Sequence, residues 1–394
     1  MRVAIVQERV DVRRGGAETS TLEMARHLVA LGVDVTVVCA ESDEATERRS
    51  DEGVRFRCVP LGGGSRAGRT ARFVGEADRS CREAGFDVVH AVTPCFSCDV
   101  YQPRGGTYVE TVERSVAWAG DSLTRLVKRV GRQFNRRQQL LLRVERAMLS
   151  GADPPYVACV SEYVRRQVES AFAGFPKDRN RVVFNGVGIE PLPLDSADRE
   201  RETIRRRLNV VERTSVVLFA AHNFKLKGLA KLIEALAELP GSDWVLAVVG
   251  HGKAGRYRRL ADRLRVRGRI EFLGQVEDTR SFYYGADVLA HPTWYDPCSR
   301  VVLEALVCGL PVVTTRFNGA AEVIEAGRNG MVVDSPRDAA ALAAAIAQCL
   351  RPEVRAGCRA GAGAMAKRLS MARHARELKK LYEDVLAEKM SGSG

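Results

Sequence analysis

WVLAVVGHGKAG, residues 244–255, runs an apolar, β-branched segment straight into a glycine-rich turn, and the basic stretch RYRRLADRLRV follows it. A short apolar run closed by glycine reads as a buried strand, and the charged stretch after it has helical character. The spacing G-x-G-x-x-G at Gly250, Gly252 and Gly255 matches a dinucleotide loop, in which backbone N–H groups and a helix N-terminus meet a pyrophosphate. Glu271 stands near the distance expected of a ribose-binding acid. Glycine is also the ordinary way to turn a strand into a helix. An NAD-binding oxidoreductase is therefore one reading, and a plain strand-to-helix turn is the other. Both place this segment in an α/β fold.

The same rhythm extends in both directions. VAIVQ, VDVTVVCA, VRFRCVPL, FDVVHAV and YVACVS read as short strands separated by helical stretches such as TSTLEMARHLVAL. After VVFNGVGIEPLPLDSADRE the alternation restarts with SVVLFAAH, WVLAVVG, RIEFLG, ADVLAHPT, LPVVTT and GMVVDS. Strand–helix alternation of this kind builds a parallel sheet wrapped by helices. The turn residues and prolines from Asn185 to Pro193 then mark a linker between two doubly wound, Rossmann-like domains, residues 1–188 and 189–369. A final helix spans about Met371 to Lys389, and SGSG, residues 391–394, reads as a disordered tail.

Composition agrees with two domains: 394 residues that are 45% hydrophobic and 28% charged can bury two cores. No apolar run approaches the roughly 20 residues of a membrane span, and MRVAIVQERV lacks a signal peptide's cleavage region, so the expected location is the cytoplasm. The ten cysteines are scattered through apolar segments, as reduced core thiols would be. Cys95-Phe-Ser-Cys98 has no second C-x-x-C or nearby histidine pair to complete a metal site. A net charge of +12 implies a polyanionic neighbour: nucleic acid, anionic lipid or a phosphorylated substrate. A basic nucleic-acid-binding protein is thus a further alternative, but nothing resembles a stacking platform or a recognition-helix module. From Leu123 to Met148 an apolar stripe (Leu123, Leu126, Val127, Val130, Phe134, Leu141, Val144, Met148) backs an arginine-rich face on which Glu145 is the only acid. That face suits a solvated helix, an anionic membrane surface or a phosphorylated acceptor.

The chemistry is concentrated in the second domain. In AAHNFKLKGLAKLIEAL, Lys227-Gly228 follows a strand and opens a helix, where an ammonium can point at a diphosphate. HPTWYDPCSRVVLEALVCGLPVV places Asp296 and Glu304 eight residues apart around a turn that becomes a helix. A carboxylate inside VVLEALV needs a partner, which marks Glu304.

Together these segments resemble the retaining glycosyltransferases of family 4, over nearly the whole chain. GGAETSTLEMARHLVALGVDVTVV is similar to the family's opening loop and helix, FNGVGIE to its inter-domain junction, Lys227-Gly228 to its phosphate-binding lysine motif, and WYDPCSRVVLEALVCGLPVV to its E-x7-E motif. Within the family the chain most resembles lipopolysaccharide-core glucosyltransferases. The resemblance implies a GT-B architecture of two Rossmann-like domains facing a cleft, with the C-terminal helix, residues 370–390, packing back on the first. It implies transfer of a hexose, glucose from UDP-glucose, to an envelope glycan or glycolipid at the inner face of the plasma membrane, without a metal and without any other cofactor. No Asp-x-Asp occurs in the chain.

Carried onto this sequence, the family pattern makes Lys227 the phosphate cation, with His222 where the family commonly has arginine. The N–H groups of Ser299, Arg300 and Val301 become further phosphate donors, since charge builds on the leaving phosphate as the bond breaks. Glu304 is assigned to the ribose and Asp296, where the family usually has glutamate, to the sugar. Gly15 and Gly16 let the first-domain loop approach the diphosphate. Asn318-Gly319 replaces a common Gly-Gly near the sugar. Asp99 and Arg104 are the acceptor-side candidates. On this reading Gly250–Gly255 is only a turn, and Glu271 yields the ribose to Glu304.

Overall fold

The computed structural model describes residues 1–10, 16–42, 52–114, 135–239, 241 and 243–391. It divides into two compact units, Met1–Gly188 with Ser370–Gly394, and Ile189–Leu369. In the first unit, β1 (Arg2–Val6), β3 (Asp34–Cys39), β5 (Arg55–Cys58), β6 (Val88–Ala91), β7 (Val100–Tyr101), β8 (Tyr156–Cys159) and β9 (Asn180–Val182) form one sheet. Their order is β5-β3-β1-β6-β7-β8-β9, and every pair is parallel. β2 (Arg9–Val10) and β4 (Glu41–Ser42) make a separate parallel pair. The helices of this unit are α1 (Gly16–Ala30), α2 (Arg66–Ala84), α3 (Tyr108–Arg114), α4 (Arg136–Leu149) and α5 (Glu162–Ala171).

The second unit carries a six-stranded parallel sheet in the order β12-β11-β10-β13-β14-β15. Its strands are β10 (Ser215–Ala220), β11 (Trp244–Val249), β12 (Ile270–Gly274), β13 (Val288–His291), β14 (Val312–Thr315) and β15 (Gly330–Val333). Its helices are α6 (Leu194–Arg207), α7 (Leu229–Ala237), α8 (Gly255–Arg263), α9 (Arg280–Gly285), α10 (Arg300–Val307), α11 (Ala339–Cys349) and α12 (Pro352–Leu369). The strands are almost continuously apolar because helices cover both faces of the sheet. Val217, Phe219, Leu246, Val248, Val288 and Val313 are buried in one cluster with Leu232 and Leu342 from the flanking helices.

α13 (Met371–Ser391) belongs to the first unit, although it follows the second in sequence. Met371, Ala375, Leu378, Tyr382 and Val385 recur every three or four residues, and all lie in the core that holds Val3, Ile5 and Leu28. FNGVGIE explains the close pass at its start. A Cβ on Gly186 would stand 2.8 Å from the Ser370 carbonyl and 2.9 Å from Met371 Cα. The helix runs through Ser391, one residue into the expected tail, and residues 392–394 lie outside the described residues.

One expectation changes in the first unit. Glu145 does not share the arginine face: it is fully buried, accepts from the Tyr101 hydroxyl at 2.7 Å and the Tyr108 N–H at 2.8 Å, and burial raises it to about 7. The C-terminal half of the apolar stripe, Leu141, Val144 and Met148, is core. The N-terminal part of that segment, residues 115–134, lies outside the described residues. Among the described residues no helix is long and apolar enough to cross a membrane.

Candidate active site

In an open parallel sheet the ligand crevice forms outside the carboxyl ends of the strands, where the strand order reverses. In the second unit that reversal falls between β10 and β13. Lys227 lies on the segment leaving β10 and Asp296 on the segment leaving β13, so the two motifs meet at the switch point. The loops are stitched together: the Trp294 N–H donates to the Leu226 carbonyl at 2.9 Å, and the Thr293 hydroxyl to the same oxygen at 3.3 Å. Gly228 is required by this approach. Its φ is +81°, and a Cβ there would sit 2.1 Å from the Pro292 carbonyl.

Lys227 Nζ donates to Asp296 Oδ2 at 2.5 Å and to the Tyr295 carbonyl at 3.3 Å. Both side chains are largely buried, 18% and 13% exposed. Burial by itself would raise Asp296, but the Lys227 ammonium and His291 outweigh it and hold the carboxyl well below the usual carboxylate range. His291, at the end of β13, went unmarked in the sequence reading. Its Nε2 is 3.7 Å from Asp296 Oδ2 and 3.4 Å from Ser299 Oγ. Burial, reinforced by the Lys227 charge, lowers its pKa and keeps the imidazole neutral, with Asp296 pulling the other way.

Glu304 finds the partners its apolar helix demands. Oε2 accepts from the Tyr283 hydroxyl at 2.8 Å, and Oε1 accepts from Arg300 Nη2 at 3.0 Å. Arg300 therefore spends its guanidinium on Glu304, one helical turn away. Tyr283, in α9, is the second residue that sequence reading missed; only the paired tyrosines of RSFYYG signalled it. Burial and the Glu304 charge push its phenol well above the ordinary value.

Asn318 and Gly319 prove to be scaffold. Asn318 Oδ1 accepts from the N–H groups of Ser299 at 3.1 Å and Ala320 at 3.0 Å, while Nδ2 donates to Thr314 Oγ1. The Gly319 N–H donates to the Asp296 carbonyl at 3.0 Å, and the Asp296 N–H to the Phe317 carbonyl at 2.9 Å. This clamp fixes the backbone on both sides of Pro297 and takes the Ser299 amide out of the phosphate-donor set. The Val301 amide remains in the first turn of α10, where no intrahelical acceptor exists. His222 is exposed beside the Lys227 loop.

The glycine-rich turn answers a packing need. Gly250 has φ +123°, and its Cβ would fall 1.9 Å from the Ala221 carbonyl; one on Gly252 would meet the Phe224 ring at 2.4 Å. Both glycines let the turn after β11 lie against the segment that leads to Lys227. Gly255 has open space around its Cβ position, and Glu271 is exposed.

In the first unit, Gly16 opens α1, and Gly15 lies outside the described residues. Asp99 accepts from the Val89 N–H at 2.7 Å and pairs with Lys389 at 2.7 Å, tying β6 to the end of α13. Arg104 is buried and donates to Gln102 at 2.8 Å, with Ser20 and His374 Nε2 also within reach. Both are engaged with the scaffold of their own unit.

Two family models together span most of the chain: Glycosyltransferase Family 4 matches residues 14–190 and Glycosyl transferases group 1 matches residues 200–368. The chain is a GT-B glycosyltransferase. The lipopolysaccharide glucosyltransferase WaaG of Escherichia coli (strain K12) is 26% identical over 325 residues, 82% of each chain. The crystal structure of WaaG, a glycosyltransferase involved in lipopolysaccharide biosynthesis, superposes with a TM-score of 0.76 at 23% identity, covering 96% of this chain and 99% of that one. The Anabaena protein HepE in complex with UDP-glucose gives a TM-score of 0.71 at 19% identity and full coverage of both chains. Neither the oxidoreductase nor the nucleic-acid alternative finds support.

Proposed function

We propose that this glycosyltransferase moves glucose from UDP-glucose, with retention of anomeric configuration and without a metal, to an envelope glycan or glycolipid such as a lipopolysaccharide core. The observation that carries it is the buried Lys227–Asp296 pair at the β10/β13 switch point, with Glu304 and the Val301 amide on the adjoining helix. The likeness to WaaG supports the acceptor class, and the HepE complex supports the donor.

In this reading Lys227 and the Val301 amide stabilise charge on the departing diphosphate, the step that most needs preorganised donors. Asp296, held ionised by Lys227, accepts from sugar hydroxyls, and Glu304 accepts from the ribose. The leaving phosphate takes the acceptor's proton as the new bond forms on the same face, so no side-chain nucleophile is needed. Lys227 has three N–H donors, so contact with Asp296 and the Tyr295 carbonyl leaves one for phosphate.

The test is a thermal-shift panel of UDP-glucose, UDP-galactose, UDP-N-acetylglucosamine, GDP-mannose and NAD, repeated with chelator. UDP-glucose should stabilise most, with or without chelator; NAD alone stabilising the protein would overturn the reading. Product from a lipopolysaccharide-core acceptor should show the small anomeric proton coupling of an α-glucoside. The arginines of the 123–148 segment, Arg136, Arg143 and Arg146 among them, would hold the enzyme at anionic lipid. Failure of the protein to sediment with anionic vesicles at low salt would remove that part.

A further inference from the structure

The second unit contains a cavity of about 330 Å³ at the opposite end of its strands from Lys227 and Asp296. Its walls come from α6 and α12, and its floor from the segments entering β13 and β14, including Asp287 and Pro311. It therefore lies at the amino ends of the strands, away from the switch-point crevice.

Guanidiniums outnumber carboxylates around it: Arg201, Arg205, Arg355 and Arg359 against Asp198, Glu212 and Asp287. Asp287 is buried and accepts from Arg201 Nη2 at 3.0 Å, Arg205 Nη1 at 3.2 Å, Arg355 Nη1 at 2.5 Å and the Val216 N–H at 2.8 Å. Three guanidiniums thus converge on one buried carboxylate whose lone pairs are all used. Two further acids line the cavity: Glu212, 79% exposed, pairs with Arg201 at 2.8 Å and Arg205 at 3.2 Å, and Asp198 stands one turn before Arg201 on α6. Arg201 Nη1 and Arg355 Nε are buried and have no acceptor among the described residues. Buried donors without a partner are costly, so a further acceptor placed here would be stabilising. Arg359 adds a further exposed cation at the rim, and Leu192, Tyr284 and Leu310 give the cavity apolar walls.

We propose that this cavity binds a small organic phosphate, with its phosphate on Arg201, Arg355 and Arg359 and its organic body against the apolar walls. The planar guanidinium fork matches phosphate oxygens pairwise, and the cavity has the volume of a small metabolite. The cavity meets the donor side only through Tyr283, which lines it and whose hydroxyl donates to Glu304, so the enzyme can hold both ligands together.

The experiment is calorimetry of the full chain with phenyl phosphate, inorganic phosphate and phenol, each with UDP in excess to occupy the donor crevice. Phenyl phosphate should bind saturably, at least tenfold more tightly than inorganic phosphate, and phenol should not bind. Arg359→Gln, on an exposed position that leaves the fold intact, and Arg355→Gln should each weaken phenyl phosphate at least tenfold while UDP affinity stays unchanged. Absence of saturable binding with UDP present, or binding that Arg359→Gln leaves unchanged in a folded protein, would overturn the proposal.

Discussion

Lys227→Ala should do two separable things: remove the cation proposed to face the departing diphosphate, and strand a buried carboxylate. Asp296 is only 13% exposed, and its charge is sustained chiefly by Lys227 against the pull of burial. Breaking a buried pair from one side costs about 3–5 kcal/mol, and since His291 still faces the carboxyl the lower end applies, about 3 kcal/mol. For a unit of this size that lowers Tm by roughly 6–12 °C. The sign with pH is distinctive. In the wild type Asp296 lies below its unfolded value, so its contribution is present above about pH 4 and is lost as pH falls further. In the variant only His291 still opposes burial, so Asp296 rises above its unfolded value and stability is lost as pH rises. The Tm deficit should therefore be larger at pH 8 than at pH 5, and Asp296→Asn in the same chain should recover most of it. Turnover, by contrast, should fall on the order of a hundredfold or more in both the single and the double variant. Differential scanning fluorimetry at the two pH values, with a UDP-release assay alongside, reads both effects. A deficit equal at pH 5 and pH 8, or turnover restored with stability, would refute the assignment.

Glu304→Gln should weaken UDP by roughly 1.5–3 kcal/mol, and wild-type protein should bind 2′,3′-dideoxy-UDP correspondingly less well than UDP; equal wild-type affinities would exclude the ribose role. Gly250→Ala, forced into a positive φ against the Ala221 carbonyl, should cost at least about 2 kcal/mol in urea unfolding, whereas Gly255→Ala should stay within about 0.5 kcal/mol. Similar losses at both positions would contradict the packing account of that turn. Because Glu145 is raised from 4.5 to about 7, its share of stability should decline as pH rises through that interval, by up to about 3 kcal/mol. Glu145→Gln should flatten that decline, and a slope that it leaves unaltered would exclude Glu145 as the cause.

Much of this enzyme is written locally. Strand–helix alternation, the break near Asn185 to Pro193, the Lys227-Gly228 pair and the spacing of Asp296 and Glu304 follow from periodicity and turn chemistry, which depend on neighbours a few residues away. Hence the fold class was legible in the sequence, as were the segments that carry Lys227, Asp296 and Glu304. Partnership was not. Lys227 meets a carboxylate 69 residues away, and Tyr283 reaches Glu304 from 21 residues away. The Ser299 amide looked like a phosphate donor until Asn318, 19 residues on, claimed it. Glu145 fell on the arginine face of a helical repeat, yet its carboxyl turns inward because Tyr101 and the Tyr108 amide offer buried donors there. Gly250 and Gly252 fitted a cofactor fingerprint by spacing alone, and only the adjacent loop shows what their missing side chains make room for. A local pattern specifies which face of an element is buried. What a polar group meets once it is buried depends on loops that only the folded sheet brings together, and that decided the chemistry.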